Sequence, residues 1–209
     1  MKILIFGASG KTGQHLVSQA LEKGNFVTAF VRNPEKINLR DENLEIIQGN
    51  VTDYKKVEEA ISGQDAILSA LGASSPFTFD QSVVDGIANI IKAMESQNVK
   101  RLIYMSFIGV KESREAGGFI IKYIAPQILS TEIAGHEARE KMIERSHLLW
   151  TIVRPATLTN GKQKGNYKSG EETASSGFPA TISRADVGGF MIQVLIENKF
   201  IHKKPRIMY

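Results

Sequence analysis

Apolar runs of strand length alternate along this chain with longer stretches whose apolar residues recur every three or four positions. That is the pattern of repeated βαβ units around a mostly parallel sheet. Ile3-Leu4-Ile5-Phe6 is short, rich in large apolar residues and closed by Gly7, as expected of a strand buried on both faces. Residues 12–23 then place Leu16, Val17, Ala20 and Leu21 on one helical face and stop at Gly24. Further strands are expected at 26–31, 44–47, 66–69, 101–105 and 150–153. Helices are expected at about 54–61, 81–97, 132–146 and 185–197, with Asp53 and Asp80 as N-caps. Residues 207–209 would add a short edge strand. The expected fold class is therefore α/β, a doubly wound parallel sheet forming one domain over 1–209, with no internal repeat and no linker.

Two stretches break the alternation. Residues 107–130, with Phe119-Ile120-Ile121 and Tyr123-Ile124, are too long and apolar for a plain connection, and residues 157–180 are polar, small and rich in Gly, Lys, Ser and Thr. Both follow strands, and in open α/β sheets the loops after strand carboxyl ends line the ligand crevice. They are the expected substrate-side segments.

Gly7-Ala8-Ser9-Gly10-Lys11-Thr12-Gly13 joins the first strand to the first helix, the context that gives a glycine motif its meaning. Gly7 suits a tight turn, Gly10 lets backbone approach a pyrophosphate, and Gly13 lets helix and strand pack closely. The helix N-terminus supplies amide donors and partial positive charge, with Ser9, Lys11 and Thr12 alongside. A nucleoside-triphosphate P-loop is excluded, because its first glycine would fall at Ile5. At the end of the second strand, where a carboxylate would bind the ribose hydroxyl of NAD, the chain has Arg32, with Lys36 one turn on. A guanidinium pairs with phosphate through charge-assisted bonds, so NADP(H) is the expected cofactor.

Composition trims the remaining chemistry. With no cysteine, thiol nucleophiles, metal–thiolate clusters and disulfide scaffolds are excluded, and no metal site is expected. No apolar run approaches the roughly 20 residues of a membrane helix, and the N-terminal run ends too early for a signal core, so a cytoplasmic protein without membrane contact is expected. The 26 basic and 22 acidic residues are interspersed, the one basic cluster being His202-Lys203-Lys204-Pro205-Arg206. Such mixing describes a solvated surface and gives no reason to expect nucleic acid.

The glycine loop, Val31-Arg32-Asn33-Pro34, Gln48-Gly49-Asn50-Val51-Thr52-Asp53, Ala70-Leu71-Gly72-Ala73, Tyr104-Met105-Ser106, Val153-Arg154-Pro155 and Ile182-Ser183-Arg184-Ala185-Asp186-Val187 resemble, in this order, the short-chain dehydrogenase/reductase superfamily. The resemblance is to its atypical Rossmann-like branch holding NmrA-like proteins and biliverdin reductase B, a flavin reductase. It implies that Asn50 and Val51 flank the adenine, that Leu71, Gly72 and Ala73 pass the ribose and phosphates, and that Pro155 closes over the nicotinamide. It also implies a catalytic neighbourhood of Ser106 at the end of the fifth strand, His136 at the start of the helix at 132–146, and Lys141.

Active tyrosine members of the superfamily carry Tyr-x-x-x-Lys; here Glu137 stands where that tyrosine would, and none of the five tyrosines has a lysine four residues on. Reactions that need the phenol, including sugar-nucleotide epimerisation, are disfavoured. Hydride transfer to an electron-poor conjugated acceptor makes little demand on a protein acid. The expected activity is NADPH-dependent reduction of a flavin, quinone or similar acceptor. Thr157, where biliverdin reductase B has a histidine, argues against tetrapyrrole specificity. The alternative is a catalytically silent NmrA-like NADP(H) sensor that binds a protein partner, with 107–130 as its surface.

Overall fold

A computed structural model describes residues 1–73, 79–175 and 180–209. Its elements follow in chain order: β1 (Lys2–Phe6), α1 (Lys11–Glu22), β2 (Phe26–Val31), a 3-10 turn (Pro34–Lys36), β3 (Leu44–Gln48), α2 (Tyr54–Ile61) and β4 (Ala66–Ser69). Next are α3 (Gln81–Ser96), β5 (Arg101–Met105), a 3-10 helix (Lys111–Gly117), a π-helical turn (Ile120–Ile124), α4 (Ala125–Ile128) and α5 (Ser130–Arg145). The chain continues through β6 (Leu149–Pro155), β7 (Thr157–Thr159), β8 (Lys168–Gly170), β9 (Thr181–Ser183), α6 (Arg184–Ile196) and β10 (Arg206–Met208).

Among the described residues the main sheet has eight strands in the order β3-β2-β1-β4-β5-β6-β10-β8. All its pairings are parallel except β10 with β8. Both faces are covered, which is why the inner strands read as unbroken apolar runs. Ile3 and Ile5 pack with Leu16 and Val17 of α1 and Val187 and Met191 of α6. Leu4 and Phe6 face the other way, against Val57 and Ile61 of α2, Ile87 and Ile90 of α3 and Ile143 of α5. Asp53 caps α2 as expected, accepting the Lys56 amide at 3.3 Å. Asp80 stands at the N-cap of α3, but its carboxylate takes the Ser82 hydroxyl at 2.5 Å and caps no backbone amide.

Two expectations need correction. Residues 207–209 are no edge strand: β10 lies between β6, which it joins in parallel, and β8, which it joins antiparallel. Three polar residues, Lys168-Ser169-Gly170, form β8 because β10 offers them a ready ladder, a tertiary cause that local propensity does not carry. The fifth helix starts at Ser130, so His136 lies well inside α5 and not at its start. The apolar 107–130 stretch folds as short 3-10, π and α turns, whereas 157–180 yields β7 and β8; its residues 176–179 lie outside the described set.

The strand order reverses between β1 and β4, the switch point where α/β sheets open their crevice. Registers Phe6 with Ser69, Ser69 with Tyr104, and Met105 with Val153 bring Gly7, Ala70, Ser106 and Pro155 to the same carboxyl edge.

Candidate active site

At the switch point Gly7 has φ +76°, a conformation that side chains disfavour, and a Cβ there would stand 2.7 Å from the Ala70 carbonyl. Gly13 is tighter still: its Cβ would lie 2.0 Å from the Gly7 oxygen, so the first turn of α1 rests directly on the strand end. The Gly10 amide closes the loop on the Gly7 carbonyl at 3.0 Å. Gly10 is also the N-cap of α1 and brings no side chain to it, leaving the amides of the first turn available to an anion.

A cleft of about 180 Å³ opens from this loop. It is lined by Gly7, Ser9, Gly10, Arg32, Asn50, Val51, Leu71 and Gly72, eight of the residues expected to hold a dinucleotide. Asp80, Ser82 and Val83 at the start of α3 complete its wall, which the sequence pattern did not reveal. The floor is fixed by close packing, since Phe30 lies under Gly49 and Val51 under Gly86 so tightly that either glycine's Cβ would clash. The Asn50 side chain takes the Thr52 amide at 3.2 Å, shaping the turn after β3. Arg32 is exposed at the rim, and among the described residues no ion pair engages its guanidinium.

The other expected residues distribute unevenly. Lys11 and Lys36 are exposed, Thr12 is buried in the first turn of α1, and Ala73 is half-buried beyond the cleft. Pro155 is buried at the end of β6, where its carbonyl accepts the Ile108 amide at 3.0 Å. Lys141 is exposed on α5 and joins no cluster with Ser106.

Where β5, β6 and α5 meet lies a buried polar network that sequence reasoning saw only in part. Ser106 donates to Glu140 Oε1 at 2.5 Å. Arg154, on β6, grips the same carboxylate in a fork, Nε to Oε1 at 3.1 Å and Nη2 to Oε2 at 2.6 Å. Side-chain exposure is 1% for Arg154 and 0% for Glu140, so each charge depends on the other. His136 stands beside them: its Nδ1 lies 3.3 Å from both the Ser106 and the Tyr104 hydroxyls, and its Nε2 3.0 Å from Glu132 Oε1. Arg139 Nη2 brings a cation to Glu132 at 3.5 Å.

Protonation follows from these partners. Burial favours a neutral Glu132, but His136 and Arg139 outweigh it and hold the carboxyl below its ordinary range. Burial, with Arg139 adding to it, lowers the His136 pKa below its ordinary value despite Glu132 and Glu140. The neutral ring therefore gives its Nε2–H to Glu132 and turns the bare Nδ1 toward the two hydroxyls. Burial lifts the Tyr104 phenol far above its normal range, so it stays a donor.

At the far side of α1, Asp186 is a second polar hub. Burial pushes its pKa up, but bonds from the Tyr209 hydroxyl, the Gly165 amide, Ser183 and the Lys164 amide outweigh this, and the result is a lowered pKa. A depressed carboxylate pKa stabilises the fold above the unfolded value and loses that contribution as pH falls through the folded one. His136, neutral when folded, also disfavours acid. Urea midpoints are thus expected to fall in two stages, first below about pH 6.5 and again below about pH 4. Asp186→Asn should flatten the second stage.

A dinucleotide cradle at the switch point of a doubly wound sheet defines a nicotinamide-cofactor-binding Rossmann-like protein. The profile of the NAD(P)H-binding family matches residues 7–198, and the chain belongs to that family. The expected resemblance to NAD(P)-binding, NmrA-like proteins accordingly holds. A Bacillus subtilis protein named an uncharacterised sugar epimerase is 29% identical, the match covering 94% of this chain and 89% of that protein. A Veillonella parvula short-chain dehydrogenase/reductase solved in complex with NADP is 23% identical with TM-score 0.78, over 99% of this chain and 93% of that one. An anaerobilin reductase from Escherichia coli is 20% identical with TM-score 0.79, over 99% and 96%. At such identities the two structures establish the fold alone. Among the described residues no helix is long and apolar enough to cross a membrane.

Proposed function

We propose that this protein is an NADPH-dependent reductase that delivers hydride to a flavin, quinone or similar conjugated acceptor. The observation that carries the reading is Arg32, an exposed guanidinium free of any described ion pair at the rim of the glycine-loop cleft. The cleft fits the cofactor, for at Gly7 and Gly13 a Cβ would meet backbone and the first-turn amides bring no side-chain cap. Gly7, Ser9 and Gly10 would hold the pyrophosphate, Asn50 and Val51 the adenine, and Arg32 with Lys36 the 2′-phosphate. When bound, the nicotinamide supplies hydride. Ser106 and Pro155 on the shared carboxyl edge would border its ring, and no Tyr-x-x-x-Lys pair is at hand for an unactivated substrate.

Arg32→Ala is expected to weaken NADPH binding about 10–100-fold, the worth of a charge-assisted phosphate contact, while NADH binding changes little. Fluorescence titration of both cofactors measures this; equal losses for both would sink the NADPH assignment. For the acceptor, NADPH oxidation with FMN, riboflavin and quinones is the test, and no turnover despite tight NADPH binding would reject the reductase. That outcome would favour the sensor reading, which has one observation of its own: Phe119, Tyr123, Ile124 and Ile128 are exposed together in the substrate-side segment.

A further inference from the structure

A cavity of about 580 Å³, larger than the dinucleotide cleft, opens between α1 and α6. α6 lines it with Gly189, Ile192, Gln193 and Ile196, three or four positions apart on one helical face, and α1 reaches it with Gln19. The loop between β7 and β8 closes the third side with Gln163, Gly165 and Tyr167. That loop is held at two points. Asp186 takes the Lys164 and Gly165 amides at 3.1 and 2.8 Å, and Gln163 Oε1 takes Gln19 Nε2–H at 3.2 Å. Gly188 and Gly189 make room for the two carboxamides, since their Cβ atoms would stand 2.7 Å from Gln19 Oε1 and from Gln163 Nε2 respectively.

The groups that the walls leave unused describe a ligand. Among the described residues the Tyr167 hydroxyl, Gln163 Nε2 and Gln193 Oε1 have no hydrogen-bond partner. Burial, with Asp186 and Glu197 adding to it, raises the Tyr167 pKa, so the phenol stays a donor at neutral pH. Its ring meets Phe190 edge-on at 6.0 Å and is half-buried. Ile196 is 50% exposed, an apolar wall that the fold itself does not cover. The rim favours neither sign of charge: Glu22 and Lys23 adjoin on it, both exposed, and Glu197 is paired with Lys199 at 2.7 Å.

Free donors, a free acceptor, an aromatic ring and balanced charge fit a neutral, planar nitrogen heterocycle. A carboxamide can pair with adenine through both N6–H and N7, and aromatic side chains stack on bases. The volume falls within the range of small-molecule sites, about 300–1,000 Å³. We infer that this cavity is a second binding site, for a purine nucleoside, whose base is contacted by Tyr167, Gln163 and Gln193. Gln19 and Lys23 lie about 12–18 Å along α1 from its first residue, so the cavity and the glycine-loop cleft can be filled together. The site stands whether or not that cleft holds NADPH.

The test is a titration with adenosine, with and without saturating NADP+, followed in amide ¹H–¹⁵N spectra. Expected are saturating shifts at Gly165, Tyr167, Gly189 and Gln193 that persist with NADP+ present. A ligand of this size should show a dissociation constant on the order of 100 µM. Tyr167→Phe and Gln193→Ala should each weaken adenosine about 3–10-fold, the worth of one neutral hydrogen bond, and leave NADP+ binding unchanged. Melting temperature should stay constant for Tyr167→Phe, whose hydroxyl bonds nothing described in the fold. Shifts confined to Gly7, Gly10 and Gly49 and abolished by NADP+ would put adenosine in the cofactor cleft and overturn the second site. So would the absence of shifts around Gly189 with millimolar adenosine, inosine and guanosine, or unchanged affinity in both variants. AMP or spermidine binding there at least about tenfold tighter than adenosine would overturn the neutral-ligand assignment. Adenosine shifts at Gly189 without any NADP+ shift at the glycine loop would support the site and count against the cofactor reading alone.

Discussion

Glu140→Ala is expected to lower stability by about 3–5 kcal/mol, since it leaves the Arg154 guanidinium buried without its counter-charge. For a chain of this size that corresponds to roughly 6–20 °C in melting temperature. The loss belongs to the broken pair and not to the pair as such. Replacing both partners with apolar residues of similar volume should return much of the stability, because desolvation of two ions is then no longer required. Thermal and urea denaturation of the single and double variants separate the two effects. A single-variant loss under about 1 kcal/mol, the range of an exposed pair, would show that water reaches Arg154.

Gly13→Ala is the second large effect expected, from one methyl group. Its Cβ would fall 2.0 Å from the Gly7 oxygen and 2.8 Å from the Ala8 Cα, and both obstacles are backbone. Relief requires α1 to move off the strand end, which carries the anion-binding amides with it. Overpacking of this kind costs about 1–3 kcal/mol, and NADPH affinity should drop at least tenfold, about 1.4 kcal/mol. Isothermal titration with NADPH beside a melting curve checks both; unchanged affinity would mean that the loop's position does not set the binding geometry.

The alternation that defines the sheet is legible because strands covered on both faces must be largely apolar, as Ile3-Leu4-Ile5-Phe6 and Ala66-Ile67-Leu68 are. The glycine loop is legible too, since its residues are dictated by backbone clearance. The buried network on α5 was only half visible. Reading an amphipathic helix presumes that its inward stripe is apolar, yet the inward stripe of α5 holds His136, Arg139 and Glu140 ahead of Ile143. Of these only His136 was expected at the site; Lys141, exposed in the fold, was expected there as well, and Glu140 was not. One signal pointed the right way: Arg154 stands between Val153 and Pro155 in a strand of buried residues, and an arginine so placed demands a carboxylate. Which carboxylate answers is settled only when β6 and α5 meet. The β8–β10 ladder was missed for a similar reason, its strands being three residues long and paired across the chain.

Asp186 links two regions that sequence order keeps apart. It sits in the first turn of α6, takes the Ser183 hydroxyl at 2.8 Å and the Tyr209 hydroxyl at 2.6 Å, and accepts the amides of Lys164 at 3.1 Å and Gly165 at 2.8 Å. A glycine-containing polar loop would ordinarily fluctuate independently of its neighbours. Here its midpoint shares an acceptor with the capping serine of α6. Detaching Lys164 and Gly165 would therefore take bonds from the same carboxylate that the capping serine of α6 uses, which couples the loop to that helix end.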